Sequence, residues 1–245
     1  MTILGPAHSL DPVMPRPAPR RPEGISRAED RVFNAIIDAV LNHRLAPNTQ
    51  LKERELCEIF GVTRGAVRAA LTRLGHSLLV ELRPNRGAVI ANPSLEETRD
   101  MFEARRVIEA AIVQRLAKSL SAKQVGELRA FVVEERRAYE KGDRKAGQRL
   151  SIRFHKVLAE LAGNRTLDRF MEHLICRTPL LALARTGRIT YCGADEHREI
   201  VEALAKRDAG AAARCMTQHL NNVEGELVAE PETPAAPTLA EALAG

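Results

Sequence analysis

The fold is decided by Leu51-Lys52-Glu53-Arg54-Glu55-Leu56-Cys57-Glu58-Ile59-Phe60, then Gly61-Val62-Thr63, then Arg64-Gly65-Ala66-Val67-Arg68-Ala69-Ala70-Leu71-Thr72-Arg73-Leu74. The first part predicts a short helix from Glu53 to Phe60, with Leu56 and Ile59 turned inward. Gly61 stops it, because glycine accepts the left-handed turn that ends a helix. Thr63 is a good N-cap for a further helix, Arg64 to Leu74. At about 100° per residue, Val67, Ala70, Leu71 and Leu74 share one face. Arg64 and Arg68 lie one turn apart on the flank of the opposite face, beside the small Gly65 and Ala69. Such arginines suit the DNA major groove: their forks reach guanine O6 and N7 or a phosphate, and small neighbours let the backbone come close.

The pattern extends in both directions. Upstream, Val32, Phe33, Ile36, Ile37, Val40 and Leu41 recur at helical spacing and predict a helix from about Ser26 to His43, with Ser26 and Glu29 as a capping box. Ala46-Pro47-Asn48 turns the chain. Downstream, Leu79-Val80-Glu81-Leu82 and Ala88-Val89-Ile90 read as two short strands, joined by the basic turn Arg83-Pro84-Asn85-Arg86-Gly87. Helix, helix–turn–helix and basic-tipped hairpin describe a winged helix over residues 26–91. That segment carries ten Lys and Arg against seven Asp and Glu. DNA would therefore be held by placed arginines rather than by a bulk positive field.

The chain's 245 residues suffice for one or two domains. Residues 1–25 hold six of the 13 prolines and no periodic pattern, so they read as a disordered arm. Residues 229–245 read as a second loose tail. No apolar run approaches the roughly 20 residues of a membrane span. The four cysteines, Cys57, Cys176, Cys192 and Cys215, have no CxxC spacing, which excludes a zinc ribbon and disfavours a disulfide scaffold. The N-terminus has no basic start followed by an apolar run, so a cytoplasmic protein is expected. Only 3% of residues are aromatic, which argues against a base-stacking binder of single strands.

From Leu95 the pattern is all helical, with helices expected over 95–119, 121–141, 143–162, 165–186, 195–206 and 208–227. An antiparallel bundle over residues 92–228 is the simple architecture, and the fold class is mainly α. His155, His197 and His219 fall on three different helices. Three imidazoles converging on one axis would bind zinc or nickel. From spacing alone such a trio is more usually a set of surface or packing residues. Glu196 and Glu199 read as ordinary helix-start and solvent residues. Arg105 offers either a partner for a carboxylate-bearing ligand or an i,i+4 ion pair with Glu109 on a solvated helix face.

Several of these stretches resemble a known family. Leu51-Lys52-Glu53-Arg54-Glu55-Leu56, Phe60-Gly61-Val62-Thr63-Arg64, Val67-Arg68-Ala69-Ala70-Leu71 and Pro84-Asn85-Arg86-Gly87-Ala88 resemble the N-terminal domain of GntR-family bacterial transcription regulators over about residues 30–91. The resemblance implies a dimer that reads a palindromic double-stranded operator. It places Arg54, Thr63, Arg64, Gly65, Arg68, Asn85, Arg86 and Gly87 at the DNA. Gly65-Ala66 stands where the family often has Thr-Pro, Ala69 replaces a usual Glu, and Gly75-His76-Ser77-Leu78 replaces a stretch usually ending in Gly.

Arg105-Arg106-Val107-Ile108-Glu109, Phe154-His155, Ala162-Gly163-Asn164, Glu196-His197-Arg198-Glu199-Ile200 and Gln218-His219 are similar to the FCD ligand-binding domain of one GntR subfamily, over about residues 96–227. Many FCD domains hold a metal with one Asp and three His. The histidines map to His155, His197 and His219, but Ser151 stands where the Asp would be. A three-histidine site completed by water or effector, a weakened site, and no metal all follow as alternatives. The resemblance further implies a small effector, an organic acid, near Arg105 and Ser151. Arg185, beside the Gly187 break, either reaches the same pocket or is a cation complementing the dipole at an exposed helix end. The expected function is a ligand-responsive, homodimeric regulator, a repressor rather than an enzyme. A metal-dependent enzyme using the three histidines and a constitutive DNA-binder without effector are the other readings.

Overall fold

A computed structural model describes residues 23–42, 44–83, 87–186 and 193–228. They form two compact units: residues 23–93 with 176–186, and residues 94–175 with 193–228.

In the first unit, α1 (Glu23–Leu41) precedes β1 (Gln50–Leu51), α2 (Glu53–Phe60), α3 (Arg64–His76), β2 (Val80–Arg83) and β3 (Gly87–Ile90). Helix α1 starts three residues before Ser26, so Ser26 and Glu29 lie inside the helix and do not cap it. Its apolar stripe is buried as the periodicity requires, with Val32, Phe33, Ile36 and Ile37 at most 2% exposed. Arg73 on α3 ties it down. The Arg73 guanidinium donates to Asp30 at 2.7 Å and covers the Phe33 ring at 3.7 Å. Gly61 ends α2 in the left-handed region at φ 60°, and Thr63 caps α3 by accepting from the Ala66 N–H. Ile59 differs from its expected inward position and is 40% exposed. The two-turn α2 has room for one buried row, and Leu56 occupies it.

The sheet has the antiparallel order β1-β3-β2. Strand β1 has no sequence signature, because two residues cannot display alternation. It exists through its pairing of Gln50 with Val89 and Leu51 with Ala88. The basic turn containing Asn85 and Arg86 lies outside the described residues.

The second unit contains α4 (Leu95–Ser119), α5 (Ala122–Glu140), α6 (Arg144–Leu161), α7 (Arg165–Thr186) as far as Ile175, α8 (Ala194–Ala205) and α9 (Ala209–Val228). Ser94 and Ser121 each close a full capping box, with Glu97 and Gln124, and Asp143 caps α6. Helix α4 packs along α9. Helix α8 packs on α9 and α5, and α5 packs on α6. Phe102, Ile112, Leu116, Phe154, Ile200, Met216 and Leu220 fill the interior. Among the described residues no helix is long and apolar enough to cross a membrane.

Among the described residues Asn48, Leu78 and Arg207 take positive φ without being glycine, and Leu78 is the apolar, branched one. Leu78 follows the Ser77 cap of α3 and takes φ 55°, while its N–H bonds the Gly75 carbonyl at 3.0 Å. A branched L-residue in that region pays roughly 1–2 kcal/mol. Leu78 is also 55% exposed, so it recovers little by burial. Replacing it by glycine removes the strain, at about 0.5–1 kcal/mol of added unfolded-chain entropy. Leu78→Gly is therefore expected to stabilise the first unit by about 0.5–1 kcal/mol. Denaturant unfolding followed through that unit checks the sign, and a clear loss of stability would contradict it.

Candidate metal centre and nucleic-acid interface

His155 on α6, His197 on α8 and His219 on α9 are each at most 4% exposed. Their Nε2 atoms converge: His197 to His219 is 3.2 Å, and His219 to His155 is 3.3 Å. The outward nitrogens are all engaged by carboxylates. Nδ1 of His155 lies 2.5 Å from Glu109 on α4, Nδ1 of His197 lies 2.8 Å from Glu135 on α5, and Nδ1 of His219 lies 2.7 Å from Glu196. An ionised carboxylate only accepts, so each Nδ1 is the donor, and the neutral ring then presents an Nε2 lone pair. Three lone pairs aimed at a common point repel one another unless a cation takes them. Tetrahedral zinc ligands at about 2.0–2.1 Å from the ion stand roughly 3.3 Å apart, which the His197–His219 and His219–His155 edges match.

The packing explains why the rings are fixed. Phe154, fully buried and next to His155 in sequence, stacks its own ring on His197 at 4.2 Å between centroids. Ser151, one turn before His155, is 2% exposed. Its hydroxyl donates to Glu135 and lies 3.2 Å from the Tyr139 hydroxyl.

Arg105 forms the i,i+4 pair with Glu109, at 2.7 Å, but on a buried face rather than a solvated one, since both side chains are 2–3% exposed. Burial would raise the Glu109 carboxyl. The Arg105 guanidinium and His155 outweigh that and hold it at about 2. Glu196 also differs from its expected solvent role: besides His219 it accepts from Asn222. Glu199 is exposed. The side chain of Arg185 lies outside the described set. Sequence reasoning thus found the three imidazoles and missed the carboxylates behind them. No spacing signal marks Glu109, Glu135 or Glu196, whose burial against the rings comes from the packing of separate helices.

In the first unit, Arg54, Thr63, Arg64, Gly65 and Arg68 are all exposed. Lys52, Glu53, Arg54, Arg64, Arg68 and Arg83 line one groove of about 620 Å³, with Gly87 at its edge. Glu53 organises the groove. It accepts from Arg68 Nε at 2.9 and 3.0 Å and lies 3.3 Å from Arg64 Nε. The hydrogen bond and charge of Glu53 push the Arg68 guanidinium further up. Arg54 lines the same groove and lies 3.6 Å from Glu58 on its own helix.

Comparison with known proteins agrees with both units. Residues 28–90 match the bacterial regulatory proteins of the gntR family, and residues 100–222 match the FCD domain. The HTH-type transcriptional repressor RspR of Escherichia coli K12 is 28% identical over 203 residues, covering 79% of this chain and 86% of its own length. The HTH-type transcriptional repressor NanR of Enterobacter sp. strain 638 is 27% identical over 227 residues, covering 83% and 86%. A GntR transcriptional regulator from Rhodococcus sp. RHA1 superposes with a TM-score of 0.71 at 26% identity, covering 83% of this chain and 98% of that one. E. coli McbR/YncC shares the fold, with a TM-score of 0.70 at 18% identity. With its helix–turn–helix unit followed by an FCD domain, the chain belongs to the GntR family of bacterial transcription regulators, which are not enzymes.

Proposed function

We propose that the protein is a homodimeric repressor that reads a palindromic DNA operator through α3 and its wing, and that a divalent metal with a small organic acid in the helical unit controls it. The observation that carries the reading is the exposed groove that Arg54 of α2 shares with Arg64 and Arg68 of the capped helix α3. One such helix reads only a few base pairs, so specificity calls for two half-sites and a two-fold dimer. The names of the relatives, both repressors, support the sign of regulation. Thr63 and Gly65 stand at the start of α3, where side chains and backbone approach the duplex. Gly87 opens β3 beside the groove, and the resemblance assigns the neighbouring Asn85 and Arg86 to DNA contact as well.

The donor set fits a divalent cation. His155, His197 and His219 would hold it through Nε2, and zinc or nickel suits three borderline nitrogen donors. When bound, the ion offers open coordination positions to the oxygens of an anionic effector. Ser151 stands near this set as a neutral hydroxyl held by Glu135. Arg105 acts on it through Glu109 and His155 rather than as a loose cation.

Three measurements test the reading. Arg64→Ala and Arg68→Ala should each weaken operator binding by about 1–3 kcal/mol while leaving the fold intact; unchanged gel-shift affinity in both would remove them from the interface. Titration calorimetry should show the metal-free wild type taking up one zinc or nickel ion, and His197→Ala losing it. Identical behaviour of the two proteins would leave the histidines as packing residues. Sedimentation of the full chain at micromolar concentration should give twice the 27.0 kDa mass of one copy, and a monomer would contradict the two-half-site reading.

A further inference from the structure

We infer that Glu109, Glu135 and Glu196 form an outer carboxylate shell that sets the metal affinity of the three-histidine site, with Glu135 as its dominant positioning residue. The inference rests on the proposed metal centre and adds to it residues that donate nothing to the ion.

The argument begins with how the carboxylates are placed. Each of the three rings has its own acid, reached from α4, α5 or α8. A carboxylate on Nδ1 fixes the tautomer and ring plane and makes Nε2 a stronger donor. Three such pairs around one point are more than packing needs, because the Nδ1–H of a buried imidazole is satisfied by a single hydroxyl or carbonyl.

The charges point the same way. Glu135 is fully buried, and among the described residues its oxygens meet only the Ser151 hydroxyl and His197 Nδ1. No Lys or Arg is among those partners. A buried carboxylate without a cation is costly, since hydrogen bonds alone only partly replace lost water. A divalent ion on the far side of His197 supplies the missing charge through the ring. Glu109 differs, because Arg105 already balances it at 2.7 Å. Glu196 differs again: its side chain is 29% exposed, so water screens it. The three acids are therefore unequal. Glu135 carries the largest uncompensated charge and also orients Ser151, the hydroxyl one turn from His155.

Glu135→Gln separates this role from a structural one. The amide is isosteric, still accepts from His197 Nδ1 and still meets Ser151, but it carries no charge. Zinc affinity of the full chain, measured by competition with a chromophoric chelator, is expected to fall about 10–100-fold. The melting temperature of the metal-free protein should hold or rise, and the rise that zinc produces in wild type should shrink. Cobalt(II) loaded in place of zinc should show an altered d–d spectrum in the variant.

Glu196→Gln, at a partly exposed position that tolerates change, is the companion variant. Its zinc affinity should fall by a smaller factor than that of Glu135→Gln. It also keeps the inference testable if Glu135→Gln does not fold. Zinc binding equal to wild type in Glu135→Gln, or in Glu196→Gln where only that variant folds, overturns the outer-shell role. So does a lowered metal-free melting temperature with unchanged affinity, the signature of a purely structural ion pair. A wild type that takes up no zinc, nickel or cobalt overturns the metal centre itself, a distinct result read before any variant is made.

Discussion

The arrangement of the helical unit turns on three imidazoles whose inner nitrogens point at one another. Placing them there is electrostatically unfavourable for the bare chain, and the surrounding helices are organised to sustain it. Helix α6 contributes His155 and Ser151, α8 contributes His197 and Glu196, and α9 contributes His219. Helices α4 and α5 contribute the acids behind two of the rings. Five of the six helices therefore meet at a single polar point inside an otherwise apolar interior. Phe154 limits the freedom of that point by stacking on His197. Movement of any one helix changes a nitrogen–nitrogen or nitrogen–carboxylate distance, so occupancy of the site and the relative placement of the helices are coupled variables.

The DNA-reading unit solves a different problem with the same helix geometry. On α3 the row Val67, Ala70, Leu71 and Leu74 is buried, and the row Arg64 and Arg68 faces out. Arg73 lies between the two and serves the fold, clamped by Asp30 and laid over Phe33. The three arginines of one helix thus have two jobs, decided by which side of a 100° step each falls on.

Much of this was legible in the residues. The expected helix ranges 95–119, 121–141 and 143–162 match α4, α5 and α6, whose starts Ser94, Ser121 and Asp143 cap by taking up backbone N–H groups that no helical carbonyl reaches. Thr63 and Gly61 fix the tight link between α2 and α3 in the same local way. The histidine trio was visible as a set of candidates, and its convergence required the crossing of α6, α8 and α9. What stayed hidden depends on long-range contact alone. Strand β1 is two residues defined by a partner almost forty positions away. Glu109, Glu135 and Glu196 look like ordinary helix acids, and only the packing of α4, α5 and α8 turns them toward rings on other segments. Ile59 carried the inward signal of a helical repeat, but a helix of two turns had no second surface to bury it against.

Glu53 gives the groove on α3 a property that its arginines alone would lack. Arg64 and Arg68 are held by one carboxylate, Arg68 through both oxygens. Both contacts run through Nε, so the terminal nitrogens of each guanidinium keep their donors while the Nε is pinned. In the proposed DNA-reading role, each fork would be offered in a fixed orientation without loss of an existing hydrogen bond. A guanine edge presents two acceptors to such a fork. The Glu53 carboxylate would in turn repel a phosphate that approaches off register, narrowing the poses in which the groove accepts a duplex.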